Sequence, residues 1–243
     1  MDNQAGSVPL YRRLRDIIAG NIASGEWPPH SRIPSERELC DAYGMSRITV
    51  RHAVAELVND GRLVRHPGRG TFVGVPQIEQ GTTVLTSFTE EMRRTGRDPS
   101  SSVLRIERLA AKGPVNRALR VPDGSDTIVI RRLRLADGEP CAVETVHLPA
   151  DRCASVLECD LEHASLYEEL RVRAGIHPAR AEQTWRAIGC PAELADTLAI
   201  PAGTAVLHIN RTTFDSYDAP FEFVVSHYRG DRFVFRAELA ARR

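Results

Sequence analysis

The sequence predicts an α+β protein of two domains: a small helical head closed by a two-stranded hairpin, and a larger domain built on an antiparallel sheet. Three observations carry this. Three apolar stripes at helical spacing precede HPGRGTFV (66–73), that octapeptide reads as a hairpin, and a long internal echo occupies the second half of the chain. At 243 residues, 42% hydrophobic and 26% charged, the chain has room for two ordinary globular cores.

The first stripe lies in PLYRRLRDIIAGNIASG, where Leu10, Leu14, Ile17, Ile18 and Ile22 share one helix face. Pro9 suits its first turn and Gly25 its end. The prolines of WPPHSRIP then break the chain. In PSERELCDAYG, Ser35 and Glu38 make a capping box over a short second helix, with Leu39, Ala42 and Tyr43 inward and Gly44 closing it. Ser46 caps a third helix, SRITVRHAVAELVND, which Gly61 ends. Its stripe is Val50, Ala53, Val54, Leu57 and Val58, which leaves Arg47, Thr49, Arg51 and His52 facing away in the first turns.

Two short helices across so tight a turn form a helix-turn-helix. In that arrangement the start of the second helix enters the major groove of double-stranded DNA, where arginine bonds guanine O6 and N7 together and a threonine methyl meets thymine. By default a charged helix face is solvated surface, and Arg69 between Gly68 and Gly70 is an exposed loop tip. The short turn, the clustering at the helix start and the hairpin RLVRH-PGRG-TFVG together favour DNA. Such a wing tip presses its backbone against phosphates and offers a guanidinium to the minor groove. From Tyr43 to Gly74 five arginines face only Glu56 and Asp60, a local balance of 5 − 2 = +3 in a chain of net charge +0. The predicted binding is local and salt dependent.

Pro9 to Val73 resembles the GntR family of bacterial transcription regulators, on PLYRRLRDIIAGNI and PSERELCDAYGMSRITVRHAVAELVNDGRLVRHPGRGTFV taken in order. The resemblance implies an N-terminal winged helix-turn-helix domain. It also implies Arg37 on the phosphate backbone or a base edge, Arg47, Thr49 and Arg51 on the recognition helix, and the segment Gly68 to Gly70 at the minor groove.

VPQIEQGTTV shows no helix or strand periodicity, so residues 75–83 read as a linker between a head at 1–74 and a second domain at 84–243. LTSFTEEMRRTG offers a capping box at Ser87 and Glu90, and a strand is expected around SVLRIERLAA. Then LRVPDGSDTIVIRR recurs as LAIPAGTAVLHINR, pairing Pro122 with Pro201, Gly124 with Gly203 and Arg132 with Arg211, and further on Pro140 with Pro220 and His147 with His227. Each copy reads as a turn, a strand, a second turn (ADGEP or DSYDAP) and a second strand, which gives two related antiparallel hairpins.

Alternation in TIVIRRLRL puts Ile128, Ile130, Arg132 and Arg134 on one face. Neighbouring guanidiniums repel unless solvent or an anion lies between them, and two together are shaped to grip a carboxylate or phosphate. In the last copy Glu222, Val224, Ser226 and Tyr228 share a face, with Glu222 as acceptor and Tyr228 as donor for a ligand. The sequence equally allows half-exposed surface arginines with Glu222 paired to one of them.

SFTEEM, RLRLADGEPCAVETVHLP, SLYEEL and FEFVVSHYRGDRFVF resemble the effector-binding UTRA domain of the HutC subfamily of GntR regulators, over roughly Val84 to Ala240. The resemblance implies a chorismate lyase-like α+β domain. Its effector would be a small anionic metabolite (sugar phosphate, amino-sugar phosphate or carboxylate) held by Phe88, Thr89, Arg132, Arg134, Ser165, Tyr167, Glu222 and Tyr228. Thr89, Arg132, Arg134 and Ser165 would lie near the acidic group. Ser165 also fits as a cap with Glu168 in SLYEEL, aiming free N–H groups at an anion.

Two rivals follow from the same residues. The shared fold with a lyase raises catalysis, but no nucleophile and base stand at informative spacing, and His147 and His227 fall on the strand face opposite Glu222. The other rival is a DNA-binding protein whose C-terminal domain only dimerises. Lysine Schiff-base chemistry would depend on Lys112, the only lysine, in the loop-like AAKGPV. Cys40, Cys141, Cys153, Cys159 and Cys190 never stand as CxxC, which supports neither a disulfide framework nor a zinc ribbon. No apolar run approaches the ~20 residues of a membrane span, and no secretory signal is visible. The expectation is a homodimeric cytoplasmic repressor without cofactor, metal or membrane partner. It reads half-sites of a palindromic operator and is released when its ligand reorders SFTEEM beside the linker.

Overall fold

The computed structural model describes residues 8–74 and 77–239. Backbone contacts divide the chain into one unit up to Gln77 and another from Ile78. Residues 75 and 76 of the expected linker, and the chain ends at 1–7 and 240–243, lie outside the described residues.

The first unit is built from α1 (Leu10–Ala23), α2 (Glu36–Tyr43), α3 (Arg47–Asn59), β1 (Leu63–His66) and β2 (Gly70–Val73). Both arms of the Ser35–Glu38 capping box form: the Glu38 amide donates to Ser35 Oγ at 3.3 Å and the Ser35 amide to Glu38 Oε2 at 2.7 Å. Gly44 ends α2 at φ 63°, and two residues later Ser46 accepts from the Thr49 amide at 3.2 Å to start α3. The core is Leu14, Ile18, Leu39, Val50, Ala53, Val54, Leu57, Leu63 and Val73 with Ile33. The expected first stripe is wider than its contact: Leu10 is 55% and Ile17 39% exposed, and Ala42 is exposed as well. In a head this small, α3 covers only the strip of α1 around Leu14 and Ile18.

The wing gains a single-bridge pairing, Arg32 with Phe72, that periodicity did not suggest. The Ile33 amide donates to Thr71 O at 3.0 Å and the Val73 amide to Ser31 O at 2.8 Å. The second half of the proline-broken segment thus satisfies the open edge of β2.

The second unit carries a six-stranded antiparallel sheet in the order β4-β5-β6-β9-β8-β7, from β4 (Pro99–Ala110), β5 (Asp126–Ala136), β6 (Glu139–Pro149), β7 (Pro178–Gly189), β8 (Ala205–Asp215) and β9 (Pro220–Arg229). The internal echo is larger than two hairpins. Helix α5 (Pro114–Leu119) precedes β5 as α8 (Ala192–Leu198) precedes β8, so each half is a strand, a helix and a hairpin, and the halves meet at β6–β9. Equivalent residues share unusual backbone: Arg120 and Ala199 both sit at φ 52°, and Gly124 and Gly203 at φ 82° and 80°.

Between the halves run α6 (Ala150–Cys153), a 3-10 turn (Ala154–Glu158) and α7 (Leu166–Ala174). Leu166, Tyr167 and Leu170 pack on Ile128, Ile130, Val146 and Phe221. Leu194 and Leu198 of α8 pack with Val143 and Val206, on the opposite face. Ahead of the sheet, α4 (Phe88–Arg94) is held by the Ser87–Glu90 capping box and packs Phe88 and Met92 with Ala142, Ile209, Tyr228 and Phe233.

The linker reading needs correction. Residues 78–81 form β3 (Ile78–Gly81), paired in parallel with β10 (Phe233–Arg236), with Ile78 buried. A four-residue strand with one inward apolar residue has no period to detect, and its partner lies at the other end of the unit. All five cysteines are free, and among the described residues no helix is long and apolar enough to cross a membrane.

Gly74 closes the wing by donating to Arg62 O at 2.8 Å, and a Cβ there would collide with Gly61 O. Gly74→Ala is therefore expected to destabilise the head by about 1–3 kcal/mol, read by urea unfolding of the full chain.

Candidate functional site

In the head, α3 exposes Arg47 and Arg51, α2 exposes Arg37, and the wing tip exposes Gly68 and Arg69. The turn is closed by the Arg69 amide donating to His66 O at 3.0 Å. It needs Gly68 at φ 72° and Gly70 at φ 115°, values open to glycine. Thr49 is half-buried, with its hydroxyl 2.8 Å from Ser46 Oγ, so its methyl is the part left for a base edge. His52 is exposed, as the stripe predicted, but it is not free of contacts. Its ring stacks on Tyr11 of α1 at 4.0 Å and 17°, and its Nε2 is 3.8 Å from Glu56. The stripe sorts residues into two faces, but a second helix packed against α3 turns a flank into a contact. Sequence reasoning missed Ile48, 83% exposed beside Arg47 and suited to a thymine methyl. Its signal was an apolar residue off the stripe.

In the second unit the expected ligand residues gather on the sheet face under α4 and α7. Arg132 and Arg134 share the face of β5 that carries Ile128 and Ile130, and each arginine is only 3% exposed, so they are not surface arginines. Arg132 Nη2 donates to Glu144 Oε1 at 2.5 Å. Arg134 Nη2 donates to Thr89 Oγ1 at 3.2 Å, Nη1 lies 3.5 Å from Glu144 Oε1, and the guanidinium carbon sits 4.4 Å from the Phe88 ring centre. Glu222 pairs with neither; it accepts from Thr213 Oγ1 at 2.6 Å and from the Tyr167 hydroxyl at 2.8 Å. Phe88, Thr89, Arg132, Arg134, Tyr167 and Glu222 line one small cavity with Glu144 and Arg211.

Ser165 and Tyr228 lie outside that lining. Ser165 caps α7 through the Glu168 amide at 3.4 Å and donates to Ser87 Oγ at 3.3 Å. Tyr228 packs edge-on to Phe233 and Phe235, with its hydroxyl pushed up to about 12 by burial and Glu144. Glu144 and Arg211 were missed; Arg211 was visible only as the echo of Arg132.

The electrostatics are lopsided. Burial raises the Glu144 carboxyl, but Arg132, Arg134 and Arg211 outweigh burial and hold it below the ordinary carboxylate range. For Glu222 burial wins over Arg211 and both hydrogen bonds, and its value is raised. Burial and the neighbouring Arg132 pull Arg134 down to about 10. Nε and Nη1 of both Arg132 and Arg134, and Nε of Arg211, are buried without a hydrogen-bond partner. Donors on buried cations are costly to leave unmade, so their natural complement is an anion. The cavity holds about 20 Å³ of free space, one water's worth. A neighbouring cavity of about 280 Å³, beside Thr82, Thr83 and Gln183, is also lined by Arg211.

On the other sheet face His208 Nδ1 lies 2.9 Å from His227 Nε2. Burial and His208 push His227 down to about 4, and His147 is lowered by burial. Neither meets Glu222.

Two expectations follow. Glu144→Gln leaves buried guanidiniums facing an amide and should cost about 3–5 kcal/mol in the ligand-free protein, read by chemical denaturation. A carboxyl raised by folding adds stability below its unfolded pKa and loses it as pH rises through the folded value. Glu222→Gln should therefore melt higher than the parent at alkaline pH, with the gap closing as pH falls towards 4.5, the ordinary glutamate value; thermal midpoints across pH check this.

Comparison with known proteins agrees with this layout. The family model described as "Bacterial regulatory proteins, gntR family" matches residues 10–73, and the UTRA domain model matches residues 94–234. The chain is 36% identical over 233 residues to the HTH-type transcriptional repressor NagR of Bacillus subtilis (strain 168), covering 96% of each. It is 31% identical over 209 residues to the Histidine utilization repressor of Pseudomonas putida, covering 86% of this chain and 84% of that one. The crystal structure of PhnF from Mycobacterium smegmatis superposes with a TM-score of 0.74 at 31% identity, covering 96% of this chain and 100% of that one. The chain belongs to the GntR family of bacterial regulators, as a transcriptional repressor of HutC type with an N-terminal helix-turn-helix domain and a C-terminal UTRA domain.

Proposed function

We propose that this repressor binds a palindromic operator as a homodimer in the cytoplasm and is released by a small anionic metabolite: a sugar phosphate, an amino-sugar phosphate or a carboxylate. The observation that carries this is the set of unpartnered buried donors on Arg132 and Arg134. A phosphate or carboxylate accepts from two such forks at once. The Thr89 hydroxyl beside Arg134 extends that grip, and Tyr167 with Glu222 supplies a donor and an acceptor for the rest of the molecule. A relative named for histidine utilization fits the idea that members answer to small polar metabolites.

The cavity as it stands is too small for a metabolite. Entry requires α4 to move, because Phe88 and Thr89 in its first turn close over Arg134. An effector changes DNA affinity only by binding the two arrangements unequally. Here the ligand-bound arrangement has α4 displaced and the segment between β3 and α4 drawn with it. Heads that must reach half-sites ~34 Å apart lose one contact when that segment shifts.

A thermal-shift screen of phosphorylated sugars, amino-sugar phosphates and carboxylates tests this. The effector should stabilise the parent by about 2.7 kcal/mol at a hundredfold excess over Kd, give no shift with Arg132→Ala, and release the protein from operator DNA. A blank across the whole set would favour a C-terminal domain that only dimerises.

A further inference from the structure

A reading helix in the major groove and a wing in the minor groove leave one sugar–phosphate strand to cross between them. Between α2 and the wing the head has a cleft of about 420 Å³, bordered by Arg32, Glu36 and Arg37 on one side and Arg65, Gly68 and Gly70 on the other. Three arginines line the cleft with one acid, Glu36, and Arg32 also feels the charge of Glu38 nearby. Glu36 is already taken, by Arg65 at 2.7 Å.

Arg32 sits in the proline-broken segment, where no pattern marks it. The structure gives it a fixed place. Its backbone bridges to Phe72, and the flanking Ser31 and Ile33 are hydrogen-bonded to Val73 and Thr71, so the base of the side chain is fastened to the wing. A Cβ on Gly70 would lie 2.8 Å from Arg32 Nε. The glycine that looked necessary only for the turn also leaves the space in which this guanidinium lies.

We infer that Arg32 is a DNA-contacting residue that holds the backbone phosphate crossing between the reading helix and the wing. Gly70 is its seat. Glu36 is a competitor that keeps Arg65 from the same phosphate run in the free protein. Arg32 supplies affinity and register rather than base preference, because phosphates carry no sequence information.

The inference rests on the DNA-binding role of the head and is independent of the effector. Its test uses the full chain and a mixed-sequence duplex longer than two helical turns, with binding followed by fluorescence anisotropy across a salt series. Arg32→Gln should weaken binding and lower the slope of log K against log salt by about one. Arg32→Lys should keep the slope, which also separates loss of the contact from loss of folding. Glu36→Gln, by freeing Arg65, should tighten binding and steepen the slope. Arg13→Gln, on an exposed part of α1 outside the cleft, should leave the slope unchanged. An unchanged slope in folded Arg32→Gln, or an equal fall with Arg13→Gln, overturns the inference.

Discussion

The ion pair between Arg132 and Glu144 is the constraint around which the second unit is arranged. Both groups are buried on a sheet face whose two ends are apolar: Ile128, Ile130 and Leu170 at one, Met92, Ala142 and Phe233 at the other. A charge there survives only with a partner, and one carboxylate serves two guanidiniums incompletely. Packing alone would be better satisfied by hydrophobic side chains of the same volume. The first turn of α4 lies over the arginines and relieves part of that cost, through the Thr89 hydroxyl and the Phe88 ring against Arg134.

The duplicated sheet shows how one asymmetric site arises from a repeated unit. At equivalent rungs the first half sets Arg132 opposite Glu144 and Arg134 opposite Ala142, while the second sets Arg211 opposite Val224 and Thr213 opposite Glu222. Each half contributes one acid, one rung apart on the same face. The two acids then meet different neighbours, which is why burial and charge drive their protonation in opposite directions.

Local chemistry made the head legible. The serine caps and Gly44 fix helix ends within a few residues of sequence, and the wing's glycines declare their backbone. What escaped depended on longer pairings: β3, the bridge from residues 31–33 to the wing, and the stacking of His52 on Tyr11. In the second unit alternation placed Arg132, Arg134 and Glu222, but Glu144 was hidden by a bulge. Counting outward from the Asp137–Gly138 turn sets Arg132 opposite Val143; the register slips at Cys141, just after Pro140, and brings Glu144 there instead. The second hairpin slips in the same way after Pro220. Neither slip has a local signature strong enough to read.

The parallel pairing of β3 with β10 also sets an order of assembly during synthesis. The head is complete in sequence by Gly74, whereas β3 must wait for a partner that begins at Phe233. At ribosomal rates of about 5–20 residues per second, that is a delay of roughly eight to thirty seconds. During it a nascent chain carries a helix-turn-helix head complete in sequence ahead of a second unit that still lacks one strand of its smaller sheet.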